Sequence, residues 1–397
     1  MIGWIRSPRE ITFGYGCRDH LAQMDMKRVA VICGGATTTK LAEEMILPIL
    51  KGSGKEVELM GGVLPDPPMR QVAEFKEKLL NFEPDWIMGF GGGSPIDLAK
   101  SAWVFYEHPE LPIAEKVKEW GTGPIKTLPP LRRKARLVAM ETTSGTGSAV
   151  TRGSVITDEQ EKRKYIVRSF NIVPDVAIYD PEVCLAMSPS VTANTGMDAL
   201  THAVEAYVST RDNAPCEWLA LRAIQYVFEY LPRAYAKPDD RQAREKMHEA
   251  NMMAGIAFTN ASLGITHSHA HPLGGRYGVP HGLGNAVMLP YVIDFNMPAA
   301  AAKYADIARM LDLEGGRDAD LAAELAYEVL RLSSFVGITG LEDALGDNLD
   351  DFRQNLDAVA QDAFADPNVT TNPRKLWSAA DAKMIYHNAL EKRLLHC

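Results

Sequence analysis

Residues 85–100 read Asp-Trp-Ile-Met-Gly-Phe-Gly-Gly-Gly-Ser-Pro-Ile-Asp-Leu-Ala-Lys. The run from Asp85 to Phe90 is short and mostly apolar, as expected of a buried parallel strand. It enters Gly91-Gly92-Gly93-Ser94. A helical pattern follows from Pro95 to Phe105, with Pro95 at a tolerated first-turn position. Glycines let a phosphate approach the backbone closely, and a helix N-terminus adds free N–H donors and a favourable dipole. A tight turn that binds nothing fits the same residues, and a lone glycine loop does not decide between the two.

The pattern repeats on both sides. Val29–Cys33 is a second apolar run and ends in Gly34-Gly35, Lys40–Leu50 has helical spacing, and Val57–Leu59 reads as a strand closed by Gly61-Gly62. Gln71–Leu80 is helical again. Strand-like runs recur at Leu137–Met140, Val155–Thr157 and Val176–Tyr179. Strands alternating with helices predict a doubly wound α/β domain. The Leu137 run enters Thr142-Thr143-Ser144-Gly145-Thr146-Gly147-Ser148. Hydroxyls on a flexible backbone suit diphosphate and ribose oxygens, although alone they also fit a solvated loop. Two such loops after strands of one sheet favour nucleotide binding at its carboxyl edge.

Beyond Asp180-Pro181 the character changes. Long amphipathic helical patterns occupy Ala193–Val208, Cys216–Tyr230, Arg241–Leu263, Pro298–Leu311 and Leu321–Val336. A boundary between Pro181 and Pro189 gives an α/β dinucleotide-binding domain over 1–185. An all-helical metal- and substrate-binding domain follows over 186–397. Two domains suit a chain of 397 residues, since single cores stop growing near ~250–300.

A net charge of -9 argues against nucleic acid or an anionic membrane surface as the main partner. No apolar run reaches the ~18 residues of a membrane span. The N-terminus, Met1-Ile2-Gly3-Trp4, has no basic region followed by a long apolar stretch. Cys17, Cys33, Cys184, Cys216 and Cys397 form no CxxC pair, which suggests free thiols in a reducing compartment. The expectation is a soluble cytoplasmic protein.

The chemistry concentrates in the second half. Asp198 and His202 lie four apart in a helical pattern and therefore share a face. His267 and His271 are also four apart, near the end of a helix that Pro272 is expected to stop. His269 lies between them, and His281 follows in Val-Pro-His-Gly. Four of the ten histidines thus fall within fifteen positions. A single histidine on an apolar face is usually structural, but imidazoles clustered with a carboxylate suit Fe, Zn, Ni, Co or Mn.

These motifs resemble the iron-containing (group III) alcohol dehydrogenase family nearly end to end. The resemblance runs through FGYG at 13–16, GGGSPIDLAK at 91–100, TTSGTGSAVT at 142–151 and GMDALTHAVEAY at 196–207. It continues through the histidine-rich segment 257–282 to TTNPR at 370–374. It implies a dehydroquinate synthase-like fold, with the nucleotide-binding and helical domains flanking a cleft, and assembly into homo-oligomers. It assigns Asp198, His202, His267 and His281 to a divalent metal, Fe(II) or Zn(II). It places His271 beside the nicotinamide, where it is our candidate proton relay, and gives His269 no role. Gly92, Gly93, Ser94 and Asp97 match its pyrophosphate segment. Thr142, Thr143, Thr146 and Ser148 match its second cofactor loop, and Lys164 a lysine near the cofactor. Phe258 matches a bulky residue near the substrate, and Gly153 leaves room beside it. The substrate is then a small uncharged alcohol or aldehyde, interconverted by hydride transfer with NAD(P)(H). A metal- and nucleotide-dependent lyase of the dehydroquinate synthase type is the alternative. That chemistry needs several basic residues near the histidines, where only Arg276 stands close in sequence.

This chain departs from the family pattern at Glu141, often Pro, at Ala149, often Glu, and at Asp66, often Asn. Many NAD-preferring relatives carry an aspartate near Gly34-Gly35, where a carboxylate repels a 2′-phosphate. Here Thr39 and Lys40 follow the two glycines and leave that space open. NADP(H) is therefore expected over NAD(H), and steady-state kinetics should give the higher kcat/KM with NADPH. A higher value with NADH would overturn that reading.

Overall fold

The computed structural model describes residues 4–161, 163–211 and 213–396. Met1–Gly3, in the N-terminal segment read above, and Cys397, among the thiols, lie outside the described residues. The chain divides into two compact units, Arg6–Ala186 and the residues from Met187 on, with Trp4 and Ile5 grouped in the second.

The first unit is built on a six-stranded parallel sheet. Its strands are β1 (Glu10–Phe13), β2 (Arg28–Cys33), β3 (Glu56–Met60), β4 (Trp86–Gly91), β5 (Arg136–Glu141) and β8 (Val176–Tyr179). They stand in the order β1-β8-β5-β4-β2-β3. The chain leaves β2 for β3 on one side, then crosses back to place β4 on the other. Order therefore reverses between β2 and β4, the point where open α/β sheets take ligands at their carboxyl ends. The turns Gly34-Gly35 and Gly91–Ser94 follow those two strands.

Burial explains the run at residues 85–100. Every residue of β4 is buried, so both faces of the strand are covered and it shows no alternation. Three helices matter here: α1 (Ala36–Leu41), α2 (Met69–Phe82) and α3 (Gly93–Glu107). α3 lies so close to β4 that a methyl group on Gly89 would stand 3.1 Å from Ile96 Cα and 3.2 Å from Ala99 Cβ. Gly89 thus sets the distance between helix and strand.

Two strands had no clear sequence signal. β1 pairs with β8 at the sheet edge, and β7 (Arg163–Arg168) pairs with β6 (Gly153–Asp158). The expected strand at Val155–Thr157 is present as β6, but it belongs to that antiparallel hairpin and not to the main sheet.

The second unit is helical. It contains α4 (Pro189–Val208), α5 (Ala214–Ala236), α6 (Arg241–Ala261), α7 (Ile265–Tyr277), α8 (His281–Met310), α9 (Asp318–Phe335) and α10 (Ala379–Glu391). α4 packs against α5, α6 and α8. A parallel α/β unit followed by an all-helical one is the dehydroquinate synthase-like succession expected from the sequence. One expectation fails: α7 does not stop at Pro272 but runs to Tyr277. Proline forfeits only its own N–H bond, to the Ser268 carbonyl. The helix ends instead at Gly278, which adopts the left-handed φ of 68° that glycine tolerates at a C-cap. His267 is consequently in the first turn of α7, not near its end.

Gly89→Val should cost about 1–3 kcal/mol by overpacking. The measurement is the urea midpoint at unchanged slope, and a wild-type midpoint would mean that Gly89 does not set the packing distance.

Candidate metal centre and cofactor loops

Three helices supply the metal-type donors. α4 carries Asp198 and His202 one turn apart, α7 carries His267, and His281 opens α8. One ligating atom from each of the four residues lies within 4.8 Å of every other. Asp198 Oδ1 is 3.9 Å from His202 Nε2 and 3.7 Å from His281 Nε2. Four donors about 2.1 Å from one ion stand about 3.4 Å apart. The observed spacings are close to that figure, so the residues fit a single divalent ion.

Close helix packing produces this convergence. A methyl group on Gly282 would fall inside van der Waals contact with the Asn194 carbonyl oxygen, and one on Gly284 would meet Ala270 Cβ at 3.3 Å. The bare glycines let the start of α8 press onto α4 and α7, which carries His281 up to Asp198.

The electrostatics suit a cation. Burial pushes the Asp198 carboxyl up, while His202 and a hydrogen bond from Asn285 pull it back. Burial, followed by repulsion from His202 and His271, holds His267 well below the usual imidazole range. His267 is therefore neutral, with a lone pair to donate. A carboxylate buried beside the neutral His267 suits a divalent ion, which supplies positive charge at the point where the donors meet.

Three further residues join the site, none singled out from the sequence. Asn285 Nδ2 donates to Asp198 Oδ1 at 2.7 Å and lies 3.2 Å from Nε2 of both His267 and His281. Glu205 Oε2 lies 2.6 Å from His267 Nδ1. Asp366 Oδ2 lies 2.7 Å from His271 Nδ1. The spacings Asp198-x6-Glu205 and His281-x3-Asn285 were visible as shared helix faces. Asp366 had no local signal, being 95 positions from His271.

The remaining histidines of the segment take different places. The His271 ring stacks on His281, with centroids 5.6 Å apart, and stays outside the four-residue cluster. His269 is buried on another face, where its Nδ1 lies 2.6 Å from the Ile265 carbonyl oxygen and its ring packs on Tyr386 of α10. Phe258 of α6 stacks on His202 at 4.4 Å.

In the first unit the expected cofactor segments touch one another. Methyl groups on Gly92 and Gly93 would lie 3.4 Å from Thr143 Oγ1 and 3.3 Å from Thr146 Cγ2. Several of the expected contact residues hold the loops themselves. The Ser148 hydroxyl donates to Asp97 at 2.6 Å, and the other Asp97 oxygen accepts the Val155 N–H at 2.9 Å. Lys100, fully buried, donates to the carbonyls of Ser148 and Gly153, both at 2.7 Å. Burial, opposed by Asp97 and Glu141, lowers its pKa to about 8. Glu141, the departure from the family pattern, accepts the Ala149 N–H at 2.8 Å and the Thr146 hydroxyl at 3.2 Å. It braces the loop from below.

Lys164 pairs with Asp66 at 2.7 Å, and the Asp66 N–H donates to Ser94 Oγ at 3.2 Å, so these three residues meet. The Thr39 hydroxyl donates to the Gly34 carbonyl at 3.2 Å. Lys40 is exposed, 3.7 Å from Glu44. Thr142 is buried, and Gly153 has open space where a side chain would project.

A sheet edge with glycine- and hydroxyl-rich loops and a helical unit holding one carboxylate and three imidazoles fit a metal-dependent enzyme that uses a nucleotide. Comparison with known proteins makes this specific. A profile of iron-containing alcohol dehydrogenases matches residues 8–181, and the C-terminal profile of the same family matches residues 192–390. The chain is 42% identical over 370 residues to the NADPH-dependent butanol dehydrogenase of Clostridium saccharobutylicum, covering 93% of each. It is 38% identical to the 1-propanol dehydrogenase of Citrobacter freundii, over 91% of this chain and 93% of that one. Its structure is similar to that of a 1,3-propanediol oxidoreductase, with TM-score 0.90, 32% identity and coverage of 98% of this chain and 100% of that one. The chain belongs to the iron-containing alcohol dehydrogenase family.

His267→Ala and His281→Ala are each expected to lower bound metal and abolish turnover. Gly282→Ala should also lower bound metal, with all four donors intact, because the added methyl separates α8 from α4. Elemental analysis of purified protein is the check, and stoichiometric metal in the two histidine variants would refute the assignment.

Proposed function

We propose that this protein interconverts small uncharged alcohols and their aldehydes by hydride transfer with NADP(H), using one divalent metal held by Asp198, His202, His267 and His281. The observation that carries the proposal is the convergence of those four donors within 4.8 Å. Similarity to butanol and propanol dehydrogenases supports a short-chain substrate. The NADPH dependence of the first relative and the absence of a carboxylate at residues 34–40 support NADP(H).

A divalent metal supplies Lewis acidity at the substrate oxygen. The chain's own residues do the rest. Phe258 offers an aromatic wall beside His202 for an alkyl chain. With Nδ1–H donated to Asp366, His271 carries its lone pair at Nε2, the atom that would take the hydroxyl proton in oxidation and return it in reduction. Asp366 is itself fixed by the Asn368 N–H at 2.8 Å. Gly92, Gly93, Ser94, Thr143 and Thr146 would hold the diphosphate, and Thr39 and Lys40 the 2′-phosphate.

The lyase reading finds no support near the histidines. Arg276, the basic residue close by in sequence, pairs with Asp362 at 2.6 Å and does not stand free for a phosphorylated substrate. Cytoplasmic function and assembly with further copies of the chain belong to the same proposal. Cys17, Cys33, Cys184 and Cys216 are free thiols, and no described helix is long and apolar enough to cross a membrane.

His271→Ala should depress kcat on the order of 10²-fold, the lower range for a lost acid–base group, while metal content stays at the wild-type level. Assay with butanol and butyraldehyde by nicotinamide absorbance is the test. Full activity in the variant would remove His271 from the mechanism, and no turnover of any short alcohol or aldehyde by metal-loaded wild type would overturn the function.

A further inference from the structure

The first N–H groups of a helix have no partner within it. α7 starts at Ile265 behind Gly264, which has no side chain with which to cap them. The acceptors come from other helices and loops. Glu205 Oε1, from α4, accepts the Thr266 N–H at 2.6 Å and the His267 N–H at 3.4 Å. Asn372 Oδ1, from the TTNPR segment, accepts the Ile265 N–H at 3.4 Å and is steadied by Asn296 Nδ2 of α8 at 3.0 Å.

The second Glu205 oxygen faces His267 Nδ1 at 2.6 Å. The Thr266 and His267 N–H groups are donors, from which a carboxylate accepts. A carboxylate at Glu205 pairs in the same way with the proton-bearing nitrogen of the imidazole, which puts that proton on Nδ1 and the lone pair at Nε2. That is the atom on the side of Asp198 and His281, since Asn285 Nδ2 touches all three. Asp198, His202 and Glu205 share one face of α4, so a single stripe carries two donors and the group that aims a third.

Resting on the metal-binding reading above, we propose that Glu205 is the positioning residue of the metal centre: it fixes the tautomer and ring orientation of His267 and ties the first turn of α7 to α4. Gly264 is part of the same device. A methyl group there would lie 3.0 Å from both Glu205 Oε1 and Asn372 Oδ1, and would push the carboxylate off its partners. Carboxylates behind metal-bound imidazoles fix the ring and raise its basicity, and their loss typically weakens metal binding about 10- to 100-fold.

The test uses full-length protein loaded with Zn(II) and challenged with excess chelator. Glu205→Gln keeps the size of the side chain but must offer an N–H either to Nδ1 or to the helix end. It is expected to release zinc about 10- to 100-fold faster than wild type. In the metal-free variant, ¹⁵N NMR should show the His267 proton moved from Nδ1 to Nε2. Glu205→Asp, which keeps an acceptor, should release zinc more slowly than Glu205→Gln. Should Glu205→Gln not fold, Gly264→Ala carries the same expectation with the carboxylate still present. Zinc release at the wild-type rate from whichever of these two variants is folded overturns the proposal. So does a metal-free Tm that falls while zinc release is unchanged, because that marks a cap and nothing more. Wild-type protein that takes up no zinc overturns the four-donor reading itself, and the Glu205 proposal with it.

Discussion

An α-helix turns once every 3.6 residues, so positions i, i+4 and i+7 fall on one line. In α4 that line holds Asp198, His202 and Glu205, all buried in the helical unit. Two buried carboxylates are costly without partners. Each finds partners by drawing another helix in: Glu205 gathers the N–H groups and the imidazole of α7, and Asp198 faces His281 and Asn285 of α8. Asp198, moreover, faces the donor atoms of His202 and His281, where a divalent ion would add positive charge. The way the helices pack and the cation the site would take thus follow from the same stripe of charge.

Glycine determines how close the partners come. Gly282 against the Asn194 carbonyl, Gly264 against Glu205 and Gly89 against Ile96 are three places where backbone or carboxylate occupies the space of a side chain. Two of them build the metal centre, and the third seats α3 on β4 beneath the phosphate-type loop. The first unit uses buried charge in a similar way. Lys100 is held by carbonyls and hydroxyls of residues 148–153, so its ammonium organises a loop that is polar but largely satisfied from within.

Local signals in the sequence carried the parallel sheet, because β2 and β4 are buried on both faces and read as unbroken apolar runs. They did not carry β1 or β7, which are partly exposed and therefore mixed in composition. Asp198 and His202 were legible as a pair through helical spacing, and the family resemblance was needed to join them to His267 and His281. Glu205 was equally visible on the spacing, but a glutamate on a helix is ordinarily solvated, and only the Gly264 gap shows why this one is not. Pro272 misled because a proline in a packed helix costs one bond without ending the helix, while Gly278 supplies the stop. Asp366 could not be found from nearby residues, since its contact with His271 spans 95 positions.

The contact between Glu205 and His267 spans 62 positions, which bears on the order in which the centre is assembled. During synthesis the Asp198–His202 pair emerges well before His267 and His281. Two donors on one helical turn make only half a site. Closing the long loop between the halves has an entropic cost, met by packing of α7 and α8 on α4 together with the Glu205 hydrogen bonds. The complete donor set therefore exists only once the helical unit has folded. A metal ion that meets the folded unit finds one carboxylate and three imidazoles already spaced for a single ion, and the choice among Fe, Zn and similar metals rests with their supply.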